Sequence, residues 1–253
     1  MAKFAVISDI HANLEALEAV FRDIEKRGAD RIVHLGDVIG YNADPCEVID
    51  RVLELGIIGV VGNHDAAAVD LKLAEGFNML AYHSILYTRD RLDGHHYGYL
   101  ASLPFSLILE GFMLFFHGSP ESSSTYIANM YQAKRAFNYI VKQLPSVKIV
   151  FFGHTHVPKI WVRDPRGKVR ALGVGASESE QLFYLDPENI YLINPGSVGQ
   201  PRQRDNRASY VIFDTENSSV RFCAVSYDIE KAQRKILQAR LPEFLAVRLA
   251  EGI

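Results

Sequence analysis

The sequence predicts an α/β fold. Three observations carry that expectation. In the first 160 residues, short apolar runs alternate with amphipathic helical stretches through polar loops. In the remainder, short apolar runs are separated by turn clusters: Pro165-Arg166-Gly167, Asp186-Pro187-Glu188 and Glu216-Asn217-Ser218. The 253 residues are 48% hydrophobic and 23% charged, an ordinary globular balance that is long enough to bury a core. With no internal repeat, linker or low-complexity stretch, residues 1–253 are expected to form one domain.

Phe4–Ser8 is an apolar run ending at Asp9 and reads as a buried strand. Asn13 is a plausible N-cap. Leu14, Leu17, Val20, Phe21 and Ile24 then share one helical face, and Gly28 stops that helix. Arg31–Leu35 is the next strand. Asp44-Pro45 pairs a cap with a proline at the first helical position, opening a helix to about Leu55. Ile57–Val61 is a third strand, and 77–92 is helical. Leu107–Leu109 and Met113–Phe116 form a hairpin, Met130–Leu144 a helix and Val147–Phe152 a strand. Ile160–Val162, Val169–Leu172, Ile190–Ile193, Tyr210–Phe213 and Val220–Val225 are expected to build a mostly antiparallel second sheet, before helices from Ile229 and Pro242. The strand–loop–helix order of the first half predicts parallel strands whose carboxyl ends carry the chemistry.

The net charge of −3 signals neither a nucleic-acid surface nor a polybasic membrane anchor. No stretch approaches the ~20 apolar residues of a membrane span. The first apolar run is too short for a signal peptide, so a cytoplasmic location is expected. Cys46 and Cys223 lie far apart and predict no disulfide or thiolate zinc site, only small buried hydrophobes.

Five polar clusters sit where the predicted strands end. They are Asp9-Ile10-His11, Gly36-Asp37, Gly62-Asn63-His64-Asp65, His117-Gly118 and Gly153-His154-Thr155-His156. All are expected at one edge of the sheet, where the glycines let the backbone turn sharply. Three acids, five histidines and an asparagine gathered there would repel one another and lose solvation. Divalent cations resolve that conflict, and mixed imidazole and carboxylate donors suit first-row transition metals. In His154-x-His156 the side chains share a face if the segment is extended. In a loop they diverge, and could serve two different metals.

These blocks, in this order over residues 9–156, resemble the calcineurin-like metallophosphoesterase superfamily. The later Asn194-Pro195-Gly196-Ser197-Val198-Gly199-Gln200-Pro201-Arg202 is similar to a segment of its small bacterial and archaeal phosphodiesterase branch. The resemblance implies a four-layer α-β-β-α sandwich of two facing mixed sheets with helices outside. It implies two divalent or trivalent transition-metal ions, drawn from manganese, iron, zinc, nickel or cobalt. Asp9, His11 and His156 would bind one metal, Asn63, His117 and His154 the second, and Asp37 would bridge them. A metal-bridging hydroxide would attack phosphorus in line. His64 would be the catalytic residue, stabilising the transition state or protonating the leaving oxygen, with Asp65 as a candidate to orient it.

Gly40 and Tyr41 stand where protein serine/threonine phosphatases carry an Asp and an Arg. The chain therefore departs from that group, and from the symmetrical dinucleoside tetraphosphate hydrolase with the same Arg. Arg202 and Arg204 are the candidates for binding phosphate, with plain surface charge the alternative for both and for Arg207. Tyr41 is a candidate substrate contact. His34 is expected to be a core histidine, His83 structural, and His95-His96 part of an exposed loop. The tract Glu121–Tyr126 is expected to be a loop beside His117.

The expected activity is phosphodiester or phosphomonoester hydrolysis on a phosphorylated small molecule or nucleotide. Asymmetric hydrolysis of diadenosine tetraphosphate and a non-catalytic metal-bound scaffold are the alternatives. No membrane or stable nucleic-acid partner is expected, and a homo-oligomer is possible.

Overall fold

A computed structural model of the chain describes residues 2–175 and 178–253. The elements β1 (Lys3–Ile7), α1 (Leu14–Arg27), β2 (Arg31–His34), α2 (Pro45–Glu54), β3 (Ile58–Gly59) and α3 (Asn63–Val69) come first. A 3-10 turn at Leu71–Ala74 leads to α4 (Met79–Arg91) and α5 (Gly94–Ser102). Then come β4 (Ser106–Leu109), β5 (Met113–Phe116), α6 (Met130–Gln143), β6 (Ile149–Phe151), β7 (Lys159–Arg163), β8 (Val169–Leu172) and β9 (Glu180–Tyr184). The chain closes with β10 (Ile190–Asn194), β11 (Ala208–Asp214), β12 (Ser219–Val225), α7 (Ile229–Gln238) and α8 (Glu243–Glu251).

The strands form two six-stranded mixed sheets, ordered β3-β2-β1-β11-β12-β9 and β4-β5-β6-β10-β7-β8. The α/β sandwich implied by the resemblance is the fold observed. In the first sheet β1, β2 and β3 are parallel, and β11 joins β1 antiparallel. In the second, β5, β6 and β10 are parallel, while β4 and β7 flank them antiparallel. The expected second-half sheet is corrected here. Its strands divide, β7, β8 and β10 entering one sheet and β11 and β12 the other, where they are joined by β9, a strand the sequence reading did not anticipate. Local alternation specifies that a segment is a strand, not which distant strand it pairs with.

Alternation along each strand sets the layers. Phe4 and Val6 of β1, Phe115 of β5, Phe151 of β6, Ile193 of β10 and Phe213 of β11 share one core, between the sheets. The intervening Ala5 and Ile7 face a second core with α1 and α2. Leu114, Phe116, Val150 and Leu192 face α6 on the opposite side. Helices α7 and α8 pack on each other and reach Tyr41 and Ala81.

Two local expectations also change. His95 and His96 lie in α5, because Asp93 caps that helix by accepting from both their backbone N–H groups. His96 is buried, 3.2 Å from Asp50. Cys46 is only half-buried, whereas Cys223 is buried, and both are free thiols. His34 is a core histidine as expected: its Nδ1 accepts from the Gly36 N–H, so Nε2–H donates to the Tyr99 hydroxyl at 2.8 Å.

Phe151 is fully buried between the sheets, with ring centroids 5.2 Å from Phe115 and 5.9 Å from Phe213. Phe151→Ala should lower stability by about 3–5 kcal/mol, read as a shifted urea midpoint with little change in slope. A loss below about 1 kcal/mol would contradict this placement of the core.

Candidate metal centre

The strand-end clusters meet, but they come from both sheets. Asp9 and His11 follow β1, Asp37 follows β2, and Asn63 opens α3 just after β3. His117 follows β5, and His154 and His156 follow β6. The expectation of one sheet edge is therefore corrected to two facing edges. Donor atoms of Asp9, His11, Asp37 and His156 form one group that could hold a metal ion. Those of Asp37, His117 and His154 form another, so Asp37 belongs to both. The Asn63 Oδ1 lies 3.1 Å from His117 Nε2, beside the second group. Every one of these side chains is buried.

The histidine tautomers follow from their outer partners, since a carbonyl oxygen only accepts. Nδ1–H of His11 donates to Ile39 O at 3.1 Å, that of His117 to Leu35 O at 2.7 Å, and that of His156 to Gln200 O at 2.6 Å. His154 is reversed, its Nε2–H donating to Ser124 O at 3.2 Å. The remaining nitrogens turn their lone pairs inward. His11 Nε2 and His156 Nε2 stand 3.2 Å apart, and His156 Nε2 is 3.2 Å from Asp9 Oδ1. That oxygen is buried and, among the described residues, has no hydrogen-bond partner. His117 Nε2 lies 3.3 Å from Asp37 Oδ2. Lone pairs facing one another in a dry site require positive charge between them, and the donor set fits a metal ion.

Titration expresses the same tension. Burial opposes the charge on Asp9 and Asp37, but the surrounding imidazoles hold both below the ordinary carboxylate range. Burial also opposes a charged His117, yet Asp37 and Asp9 override it and raise the ring to about 9, so that with no cation beside it the inward Nε2 takes up a proton in place of presenting a lone pair. His154 falls to about 3 through burial and the neighbouring His117.

The ligand-bearing turns are strained. Asp9, His11, Asp37, His154 and His156 all adopt left-handed backbone, with φ of 52°, 48°, 50°, 66° and 59°. Each costs on the order of 1 kcal/mol in an L-residue. The left-handed turn also settles the His154-x-His156 alternative, because the segment is a loop and its two rings join different donor groups.

The segment after β10 holds the first turn in place. Val198 N–H donates to Ser8 O, Gly199 N–H to Asp9 O at 2.9 Å, and Ser197 Oγ to Asp9 O at 2.8 Å. Asn42 and Asn13 side chains donate to His11 O and Gly199 O. Ser8 Oγ and His154 N–H both donate to Asp9 Oδ2. Sequence reading missed Ser8, Asn13 as more than a cap, and Asn42. Their signal was only adjacency to the clusters.

His64 borders a cleft of about 260 Å³, with Asn63, Phe77, Tyr126, His154 and Arg202 among its lining. Burial lowers the His64 imidazole to about 4. Asp65 does not orient that ring: its carboxylate accepts from the N–H groups of Val38, Ile39 and Gly62. Tyr41 also lines the cleft but is only 4% exposed, its ring 4.6 Å from both His11 and His64. Arg202 reaches the cleft, with Nη2–H donating to Gln200 Oε1 and a buried Nε that has no partner among the described residues. Arg204 is exposed and away from the cleft lining, and Arg207 pairs with Asp205. The tract 121–126 does contribute: Tyr126 stacks on His154 at 4.0 Å and Ser124 lines the cleft.

A Cβ on Gly199 would fall inside the van der Waals envelope of the Ile10 carbonyl oxygen. Gly199→Ala should therefore displace the Asp9–His11 turn. Stability should fall by about 1–3 kcal/mol and metal uptake with it, whereas Gly94→Ala, where a Cβ meets open space, should leave metal uptake unchanged. Equal metal content in both variants would refute the seat described for this turn.

Known proteins resemble this chain in sequence or in fold. The family model for the calcineurin-like phosphoesterase superfamily domain matches residues 2–218. The uncharacterised protein MJ0912 of Methanocaldococcus jannaschii is 39% identical, over 98% of this chain and 97% of its own. Phosphodiesterase YfcE of Escherichia coli K12 is 26% identical, over 87% of this chain and 91% of its own. The crystal structure of a metallophosphoesterase from Sphaerobacter thermophilus superposes with a TM-score of 0.83 at 37% identity, covering 99% of this chain and 100% of that one. The chain belongs to the calcineurin-like phosphoesterase superfamily, a metal-dependent family of hydrolases acting on phosphoester bonds.

Proposed function

We propose that the protein is a phosphodiesterase or phosphatase with a dinuclear metal centre. The observation that carries this reading is that Asp37 is common to both donor groups. In it, Asp9, His11 and His156 would hold one metal, Asn63, His117 and His154 the other, with the Asp37 carboxylate available to both. A pair of cations so held supplies Lewis acidity, polarising phosphoryl oxygens and lowering the pKa of water. Iron, manganese, zinc, nickel and cobalt all tolerate these donors.

The remaining groups belong to substrate. Arg202 offers the cleft its positive charge, placed for a phosphoryl oxygen. His64 faces the same space and donates a hydrogen bond to the leaving oxygen. Its proton affinity, low in the bare site, rises when an anionic phosphoester sits beside it. A dinucleoside polyphosphate is a second candidate substrate, favoured by the half-exposed Tyr126 ring in the cleft. Release of AMP and ATP from diadenosine tetraphosphate would select it.

Protein stripped by chelator should be inactive on bis-p-nitrophenyl phosphate and regain activity with manganese. Metal analysis should find two ions per chain, and Asp37→Asn should reduce occupancy of both. Full metal loading with no turnover across a phosphoester panel would defeat the proposal. His64→Ala should retain both metals and lose a factor of about 100 in kcat. Unchanged kcat would remove His64 from the chemistry.

A further inference from the structure

We propose that Phe77 is a positioning residue for His64, fixing the imidazole by packing where no carboxylate partner exists. This rests on the reading of His64 given above. The His64 Nδ1 is buried and has no hydrogen-bond partner among the described residues. The adjacent Asp65 is committed to three backbone N–H groups. Asp37 accepts from the His64 backbone N–H at 2.8 Å rather than from its ring. Among the described residues, nothing orients this imidazole by a hydrogen bond to Nδ1.

Packing does so instead. Ring centroids of Tyr41, Phe77 and His11 lie 4.6, 4.9 and 4.9 Å from that of His64, at interplanar angles of 47°, 37° and 75°. Those three rings face it from three different loops. The remaining side is closed by Gly40, whose φ is +94° and whose missing Cβ would overlap His64 Nδ1. The imidazole therefore sits in a slot that only glycine leaves open. Phe77 is itself held between the core beneath α1 and α2 and the core around α7 and α8. An imidazole without a hydrogen bond at Nδ1 is restrained only by the shape of its slot. Removing one wall lets it rotate, and a displacement of ~1 Å costs on the order of 100-fold in rate.

The test is a double-variant cycle on metal-loaded protein. Wild type, Phe77→Ala, His64→Ala and the double variant are compared on bis-p-nitrophenyl phosphate and on diphenyl phosphate, which releases the poorer leaving group. Phe77→Ala should lower kcat by about tenfold or more, with KM changed less than about twofold and metal content unchanged. The loss should be larger on diphenyl phosphate, and Phe77→Tyr should recover most of it. In the His64→Ala background, Phe77→Ala should cost less than about twofold more. Losses that multiply in the double variant, or that appear in KM alone, overturn the proposal by making Phe77 an independent wall of the cleft. A fully active His64→Ala overturns the reading of His64 itself, a separate result. If Phe77→Ala does not fold, the same cycle run with Phe77→Leu, which keeps apolar bulk without the ring, decides the question by the same criteria.

Discussion

Inward-facing lone pairs govern this molecule. Where the ends of the two sheets approach, three imidazole Nε2 atoms meet oxygens of Asp9, Asp37 and Asn63 at 3.1–3.9 Å. The outward Nδ1–H of each of those imidazoles is already given to a main-chain carbonyl. Water has little access, because every one of these side chains is under a tenth exposed. A cation stabilises such a cluster, whereas protons alone satisfy it only in part. Because the unfolded chain presents no such cluster, binding energy at this point is also folding energy. The same reasoning accounts for the left-handed turns. Their strain is offset by hydrogen bonds from neighbouring loops when bare, and by coordination when filled.

The supporting hydrogen bonds come from far along the chain. Asn194, at the end of β10, donates to Gly153 O and Thr155 Oγ1, steadying the turn that carries His154 and His156. A few residues later Ser197 and Gly199 grip Asp9. One short segment thus ties together turns that leave different sheets. This gives a physical reason for the Asn194–Arg202 block beyond resemblance: its side chains and N–H groups are the outer support of both donor groups.

Much of this was legible in the sequence, and the limits have identifiable causes. α1 was readable because Asn13, the apolar face and Gly28 agree, and α2 because Asp44 and Pro45 do. The donor set was readable because each member follows an apolar run. Sheet membership was not, since pairing such as β1 with β11 joins residues about 200 apart. α3 was missed because its cap position is Gly62, which has no side chain to signal it. The informative residue was Asp65, which reaches back to the Gly62 N–H. α5 was hidden by a run of glycine, histidine and tyrosine, although Asp93 marked its start. Phe77 carried no signal, because its importance lies in the ring it touches and not in its neighbours along the chain.

Each donor group draws residues from both sheets, so its dimensions are set by how far apart those sheets are held. The aromatic layer of Phe115, Phe151 and Phe213 between them acts as a spacer, and its thickness fixes the gap across which an ion must be gripped. Swelling or thinning of that layer would spread or squeeze both donor groups at once. The tuning of the reaction therefore extends into a greasy interior that substrate never meets.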